Sequence, residues 1–274
     1  MISNLFAAPF VFCALILLYV SWKFDSDYAP WVVPPVIAAA LVYIFSPQIN
    51  WWWYSRRPPA MSQELQVLLN RFSAYYQQLD EADKKKFRDR LMLFVMGTDW
   101  MPLGWPDDEM PPDVKYVLAL HAVMLTFNRP KFLFEKFEKV VVYPRPFPSP
   151  RFAYAHASET HLEDGCLIFS AEQVMAAYLE HGKWYQVALH EYARAFFLSY
   201  PDEAYPKLDS PDIWAQLEEA SGVPKTHIDG VIGIDITQPL PVAIHHYFMY
   251  PERFREKMPK EAAALDSIFG RLYA

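Results

Sequence analysis

The sequence predicts an α+β fold: a mainly helical domain with a small β-sheet, preceded by a two-helix transmembrane hairpin. Three observations predict it. The 274-residue chain spreads its charge unevenly, with only Lys23, Asp25 and Asp27 among residues 1–55 and 24 basic and 30 acidic side chains after them. Two long uncharged runs fill that first stretch. Beyond it, apolar residues recur mainly at helical spacing, interrupted by two short β-rich runs. The expected division is a hairpin over 1–55 and a soluble domain over 56–274.

Met1 to Trp22 carries no charge and is dense in Phe, Leu, Val and Ile. A helix needs roughly 20 such residues to cross the hydrocarbon core. Ala29 to Ser55 is the second uncharged run. It contains Pro30, Pro34, Pro35 and Pro47, so its helix is expected to begin after Pro35 or to be kinked. Trp51, Trp52, Trp53 and Tyr54 then form an aromatic belt suited to a membrane–water interface, and Arg56 and Arg57 follow at once. Lys/Arg excess marks the cytoplasmic side, and the loop between the runs holds one Lys against two Asp. Both chain ends are therefore expected in the cytoplasm. A cleaved signal peptide would need a basic leading segment and a small-residue cleavage site; neither is visible.

In the second part, Arg57-Pro58-Pro59 is a stiff linker. Leu65, Leu68, Leu69, Phe72 and Tyr76 recur at helical spacing. Asp80 is a candidate N-cap for a helix running through Phe87, Leu91 and Phe94, with Glu81 and Asp83 favourable in its first turn. Its Lys84, Lys85, Lys86, Arg88 and Arg90 read as a solvated face, with contact to anionic lipid as the alternative. Asp99 to Pro112 reads as a Pro- and acid-rich loop. Val114 to Phe127 is an apolar helix in which His121 is expected to be a hydrogen-bonded core residue. Lys139 to Tyr143 and Cys166 to Ser170 are the two expected strands, with an irregular stretch between them. Ser170 and Gln173 have the spacing of a capping box for the next helix.

Composition excludes several classes. With 53% hydrophobic and 21% charged residues the chain is not a disordered tail. A net charge of −7 argues against nucleic acid as a partner. Only 8 glycines are present and none forms a phosphate-cradling loop. Cys13 and Cys166 make neither a disulfide framework nor a cysteine-based zinc site.

The informative segment is Trp184 to Leu198, helical in composition, which contains His190-Glu191-Tyr192-Ala193-Arg194. Zinc peptidases place two histidines one turn apart on a helix so that both reach one ion, and the glutamate after the first acts as general base on the zinc-bound water. Here the first histidine and the glutamate are present, and Arg194 stands where the second histidine would be. Taken alone, the segment is equally a helix in which Glu191 and Arg194 pair at i, i+3.

The surroundings add to it. Arg56-Arg57-Pro58-Pro59, two helices, Val140-Val141-Val142-Tyr143-Pro144, then Phe147, then Gly165-Cys166-Leu167-Ile168-Phe169-Ser170, and finally Ala188-Leu189-His190-Glu191-Tyr192-Ala193 follow one another. This order resembles the Mlc titration factor A family of bacterial zinc-dependent peptidases, over about residues 56–272, with the two apolar runs as an addition. The resemblance implies a zincin-like metallopeptidase domain with zinc as cofactor. Taken with the two apolar runs and the Arg56–Arg57 pair, a bacterial family makes the expected location the inner membrane, with the soluble domain facing the cytoplasm. The family's third zinc ligand is a glutamate ahead of paired aromatics and a Pro-containing turn. In this chain that stretch is Val242 to Pro251, and counting back from Pro251 puts His245 at the ligand position. The chain therefore departs from the family at two of three ligands, and Phe196 and Phe197 stand where the family continues with Leu-Asp.

Arginine stays protonated in proteins and cannot ligate zinc. His190 and His245 make two candidate ligands, whereas a catalytic zinc has three. His246 is a poor third on a helix, where neighbours point about 100° apart. His156, His161 and His227 are expected at the surface unless a loop brings one in. Tyr192 and Tyr247 are the expected aromatic lining of the cleft, with a core role as the alternative. Cys166 is expected to be a small buried hydrophobe.

Two functions fit these residues. One is a membrane-anchored peptidase homologue with a degenerate metal site, a pseudoenzyme that binds a protein or peptide and holds zinc weakly or not at all. The other is an active zinc metallopeptidase with an altered ligand set that includes His190 and His245, and with Glu191 as general base. In both, the lipid bilayer is a partner through residues 1–55.

Overall fold

The computed structural model describes residues 2–180 and 183–271. Met1, where the first apolar run begins, and Leu272, where the family resemblance ends, lie outside the described residues. The chain forms two compact units, Met1–Pro59 and Ala60–Ala274.

The first unit is helical throughout. α1 spans Ile2–Lys23, a 3₁₀ segment spans Ser26–Val32, α2 spans Val33–Ile44 and α3 spans Ser46–Arg56. In the second run Pro30 lies within the 3₁₀ segment, and α2 begins at Val33, just ahead of the expected start after Pro35. Pro34 and Pro35 sit in the first turn of α2 and Pro47 in that of α3, where the missing N–H is unneeded. Ile2–Lys23 and Ser26–Ile44 are long and apolar enough to cross a membrane, with mean hydropathies of 2.2 and 1.4, and neither is buried by the protein. At the end of α3 the Arg56 guanidinium lies 4.7 Å from the Trp52 ring and that of Arg57 lies 4.5 Å from Trp53. Each cation thus sits on an aromatic face.

The second unit contains α4 (Gln63–Phe72), α5 (Ala74–Gln78) and α6 (Glu81–Gly97). The helical spacing from Leu65 to Tyr76 is divided at Ser73, whose hydroxyl accepts from Tyr76 N–H and starts α5. Asp80 caps α6 as expected, accepting from Asp83 N–H at 2.7 Å. The basic face of α6 is not wholly solvated. Arg90 donates to the carbonyls of Thr126 and Phe127 at 3.0 and 2.8 Å, at the end of α7 (Pro112–Thr126). It thereby satisfies backbone acceptors that a helix C-terminus leaves open. Lys84 and Lys85 pair with Glu81 and Asp89 on their own helix.

Four strands form one sheet: β1 (Asp99–Pro102), β2 (Lys139–Tyr143), β3 (Ser158–His161) and β4 (Cys166–Ser170), in the order β1-β2-β4-β3. β1, β2 and β4 are parallel, and β3 runs antiparallel to β4 along the edge. β2 and β4 begin and end where the sequence predicts. β1 lies in the Pro- and acid-rich stretch whose composition predicts a loop, and β3 in the stretch expected to be irregular. α8 (Ala171–Leu179) follows β4, but Ser170 makes no capping bond and its buried hydroxyl lacks a partner, so the capping box is not formed.

α9 (Val187–Ser199), α10 (Ile213–Ser221), α11 (Lys225–Ile232), α12 (Pro239–Met249), α13 (Pro251–Lys257) and α14 (Pro259–Phe269) complete the unit. α9 packs against α7, α12 and β3, and so lies at the centre of the fold. Leu118, Val140, Leu167, Phe169, Leu189, Phe196 and Ile244 are all fully buried around it. Burying each such side chain stabilises the fold by about 1.5–3 kcal/mol.

Candidate functional site

His190 and Glu191 lie in the first turns of α9. Both are buried, which fits neighbouring residues with apolar Val187, Leu189 and Ala193 on the same helix. Their side chains leave the helix in different directions, as adjacent residues must. Glu191 reaches β3. The Ser158 hydroxyl donates to its Oε1 at 3.1 Å and the Thr160 hydroxyl donates to its Oε2. Ser158 and Thr160 alternate along the strand and therefore present the same face to α9.

Burial raises the Glu191 pKa above the usual glutamate range, against the opposing effects of the Arg194 charge and the two hydroxyls. Arg194, half-buried one turn further on, also bears on His190. The expected i, i+3 pairing of Glu191 with Arg194 is thus an influence through space, while the carboxylate oxygens are held by hydroxyls.

His190 belongs to a second group. Its Nδ1 shares a hydrogen bond with the Tyr185 hydroxyl at 2.8 Å. The Tyr185 ring stacks on His245 of α12, with centroids 3.9 Å apart and planes 23° from parallel. His245 Nε2 accepts from the Gln186 backbone N–H at 3.2 Å, and its Nδ1 lies 3.2 Å from His246 Nδ1. His121 of α7 is buried, with its Nδ1 hydrogen-bonded to the Val117 carbonyl at 2.8 Å, and its charge would be felt at His245. The core role expected for His121 is the one found. Its placement beside the α12 histidines was not visible in the sequence.

Burial favours the neutral form of His190, His245 and His246. Desolvation, then the Arg194 charge, lowers the His190 pKa to about 3. Desolvation, then His190, lowers that of His246 to about 3. His245 is held well below its usual value by burial first and by the other three histidines after it.

Tyr192 and Tyr247 do not line a cleft. Tyr192 packs among Phe94, Phe134 and Phe169. The Tyr247 hydroxyl lies 2.7 Å from both Asp266 Oδ1 and the Gly270 carbonyl oxygen, and its one proton serves these two acceptors. Both are core residues, as large aromatics on a central helix tend to be. A cavity of about 90 Å³ does adjoin His121, lined also by Phe72, Tyr75, Met124, Tyr178 and Phe248 among others. Phe248 is the one α12 aromatic that reaches it.

The remaining histidines lie outside α7, α9 and α12. His156 is buried, not superficial, and its Nε2 lies 3.2 Å from Glu159. His161 Nε2 lies 2.9 Å from the same carboxylate. His227 is exposed on α11. Cys166 is buried as expected, and burial raises its thiol pKa.

The donor set does not fit zinc. Of the three ligand positions, Arg194 cannot ligate, and one ring nitrogen of His245 already accepts a backbone N–H. Among the described residues no group of three His, Cys, Asp or Glu side chains is arranged to hold a metal ion.

A family model described as glucose-regulated metallo-peptidase M90 matches residues 49–196. The match covers more than half of the chain, from α3 to the Glu191 helix, and stops before α12 and His245. No curated protein matches the chain.

Proposed function

The chain belongs to the glucose-regulated metallopeptidase M90 family, and from that premise we propose that it is a membrane-anchored member with a degenerate metal site, which acts by binding a protein or peptide. Its domain keeps the family's mainly helical, zincin-like class with a small sheet. The observation that carries the reading is the state of the His190–Arg194 turn. A permanent cation stands at the second ligand position, and the would-be general base is tied down by Ser158 and Thr160. A unit positive charge opposes a second one at contact distance by about 4 kcal/mol at an effective dielectric near 20, and a dication by twice that.

The two apolar helices support anchoring in a bilayer through residues 1–55, with the domain from residue 56 onward outside the membrane. The Arg56–Arg57 pair against a weakly charged loop supports a cytoplasmic domain at a bacterial inner membrane. Peptide hydrolysis by the full-length protein in detergent, with zinc supplied, tests the reading. No cleavage is expected above a Glu191→Gln control. Zinc-dependent cleavage lost in that variant and in His190→Ala would overturn it and establish the active peptidase instead.

A further inference from the structure

The histidines of α12 are held by more than burial. A backbone N–H can only donate, so the Gln186 N–H at 3.2 Å requires His245 Nε2 to be a bare acceptor. A neutral imidazole then carries its one proton on Nδ1. That proton faces His246 Nδ1 at 3.2 Å, which must be the bare nitrogen of its own ring. The His246 proton is thereby left on Nε2, which is fully buried and lacks a partner. The Tyr185 ring closes over the face of His245, and the Gln186 side chain ties the same turn to the Ala177 carbonyl.

We propose that the N-cap of α9 locks His245 and His246 into a metal-free hydrogen-bond chain of fixed direction, running from Gln186 N–H through His245 to His246, with Gln186 as its positioning residue. The lock deepens the degenerate-site reading and rests on it: it says what holds the α12 histidines in place of an ion. Neither ring nitrogen of His245 can ligate while the chain is intact, because one accepts a hydrogen bond and the other bears a proton. Ligation needs the α9 N-cap to let go.

Nitrogen-15 NMR of the full-length, histidine-labelled protein in micelles reads the chain directly. His245 is expected as the Nδ1–H tautomer and His246 as the Nε2–H tautomer, both unmoved by a tenfold excess of zinc. The opposite tautomers, or a zinc-dependent shift of His245, would overturn the lock.

A pair of substitutions adds an independent arm. Gln186 has φ −78°, which a proline ring accepts, so Gln186→Pro deletes the N–H alone from the backbone. Gln186→Ala keeps it. Gln186→Pro should bind zinc at least tenfold tighter than wild type, and Gln186→Ala should not. Equal zinc affinity in a folded Gln186→Pro variant would overturn the lock, and if that variant does not fold the tautomers decide. Zinc bound through His190 with the α12 resonances fixed would defeat the degenerate-site reading and leave the lock standing. Zinc on His245 would defeat the lock, with the cleavage assay then deciding function separately.

Discussion

The Ser158 hydroxyl donates to the Glu191 carboxylate across 3.1 Å, joining the edge strand β3 to α9, the helix on which the family match ends. In a working zinc peptidase the equivalent carboxylate must be free to take a proton from water. Here it is 2% exposed and both oxygens are engaged. The two hydroxyls link β3 to α9 through the Glu191 carboxylate.

Removing the hydroxyls should therefore weaken the fold. Thr160→Val or Ser158→Ala strands a buried carboxylate oxygen, at a cost of about 1–3 kcal/mol each. Denaturant unfolding should show a lower midpoint for each variant, with the double variant less than additive because both hydroxyls serve one group.

Stability should depend on pH in a direction set by the histidines. His190 and His246 have folded-state pKa values of about 3 against 6.5 when free. The unfolded chain therefore binds more protons between those values, and stability is lost as pH falls from about 6.5 toward 3. Glu191 acts oppositely. Its folded pKa is raised above 4.5, so its contribution falls as pH rises through that window. Three depressed histidines against one raised carboxylate give a net loss on acidification. Unfolding midpoints at pH 7 and pH 5 should differ accordingly, and His246→Phe should narrow the difference.

Gly233 should not tolerate a side chain. Its φ is +84°, and an added Cβ would lie 2.9 Å from His156 Cα and 3.0 Å from the Ala155 carbonyl oxygen. Both neighbours are backbone-fixed, and the Ala157 N–H donates to the adjacent Ile232 carbonyl at 2.6 Å. Gly233→Ala should destabilise by about 1–3 kcal/mol, visible as a lowered melting temperature.

The first unit has its own clasp. Asn50 Oδ1 accepts from the Ser3 backbone N–H at 3.0 Å while its Nδ2 donates to the Ser3 hydroxyl at 3.2 Å. Asn50 thus caps the start of α1 from another helix, side by side with the end of the hairpin. Asn50→Leu should cost about 1 kcal/mol, as loss of a cap does. Titration of the full-length protein with a denaturing detergent should detect the loosening of α1.

Much of this architecture was legible in the sequence, and the exceptions share a cause. β2 and β4 were readable because Val140–Val142 and Leu167–Phe169 are apolar. β3 was not, because Ser158, Glu159, Thr160 and His161 carry no apolar pattern. Its first three residues are nonetheless buried, with Ser158 and Thr160 bonded to Glu191 and one Glu159 oxygen beside His156. β1 was hidden by its length and its terminal Pro102. His190, Glu191 and Arg194 could be singled out from spacing alone. Tyr185, Gln186 and His121 could not: each meets the α12 histidines through tertiary packing, and Gln186 does so through a backbone group that has no sequence signature.

The most direct measurement is the metal content of the full-length protein, purified without chelators or a histidine-rich tag. Far less than one zinc per chain is expected, unchanged by His190→Ala and unchanged after incubation with zinc. One zinc per chain, lost on His190→Ala, would contradict the degenerate-site reading.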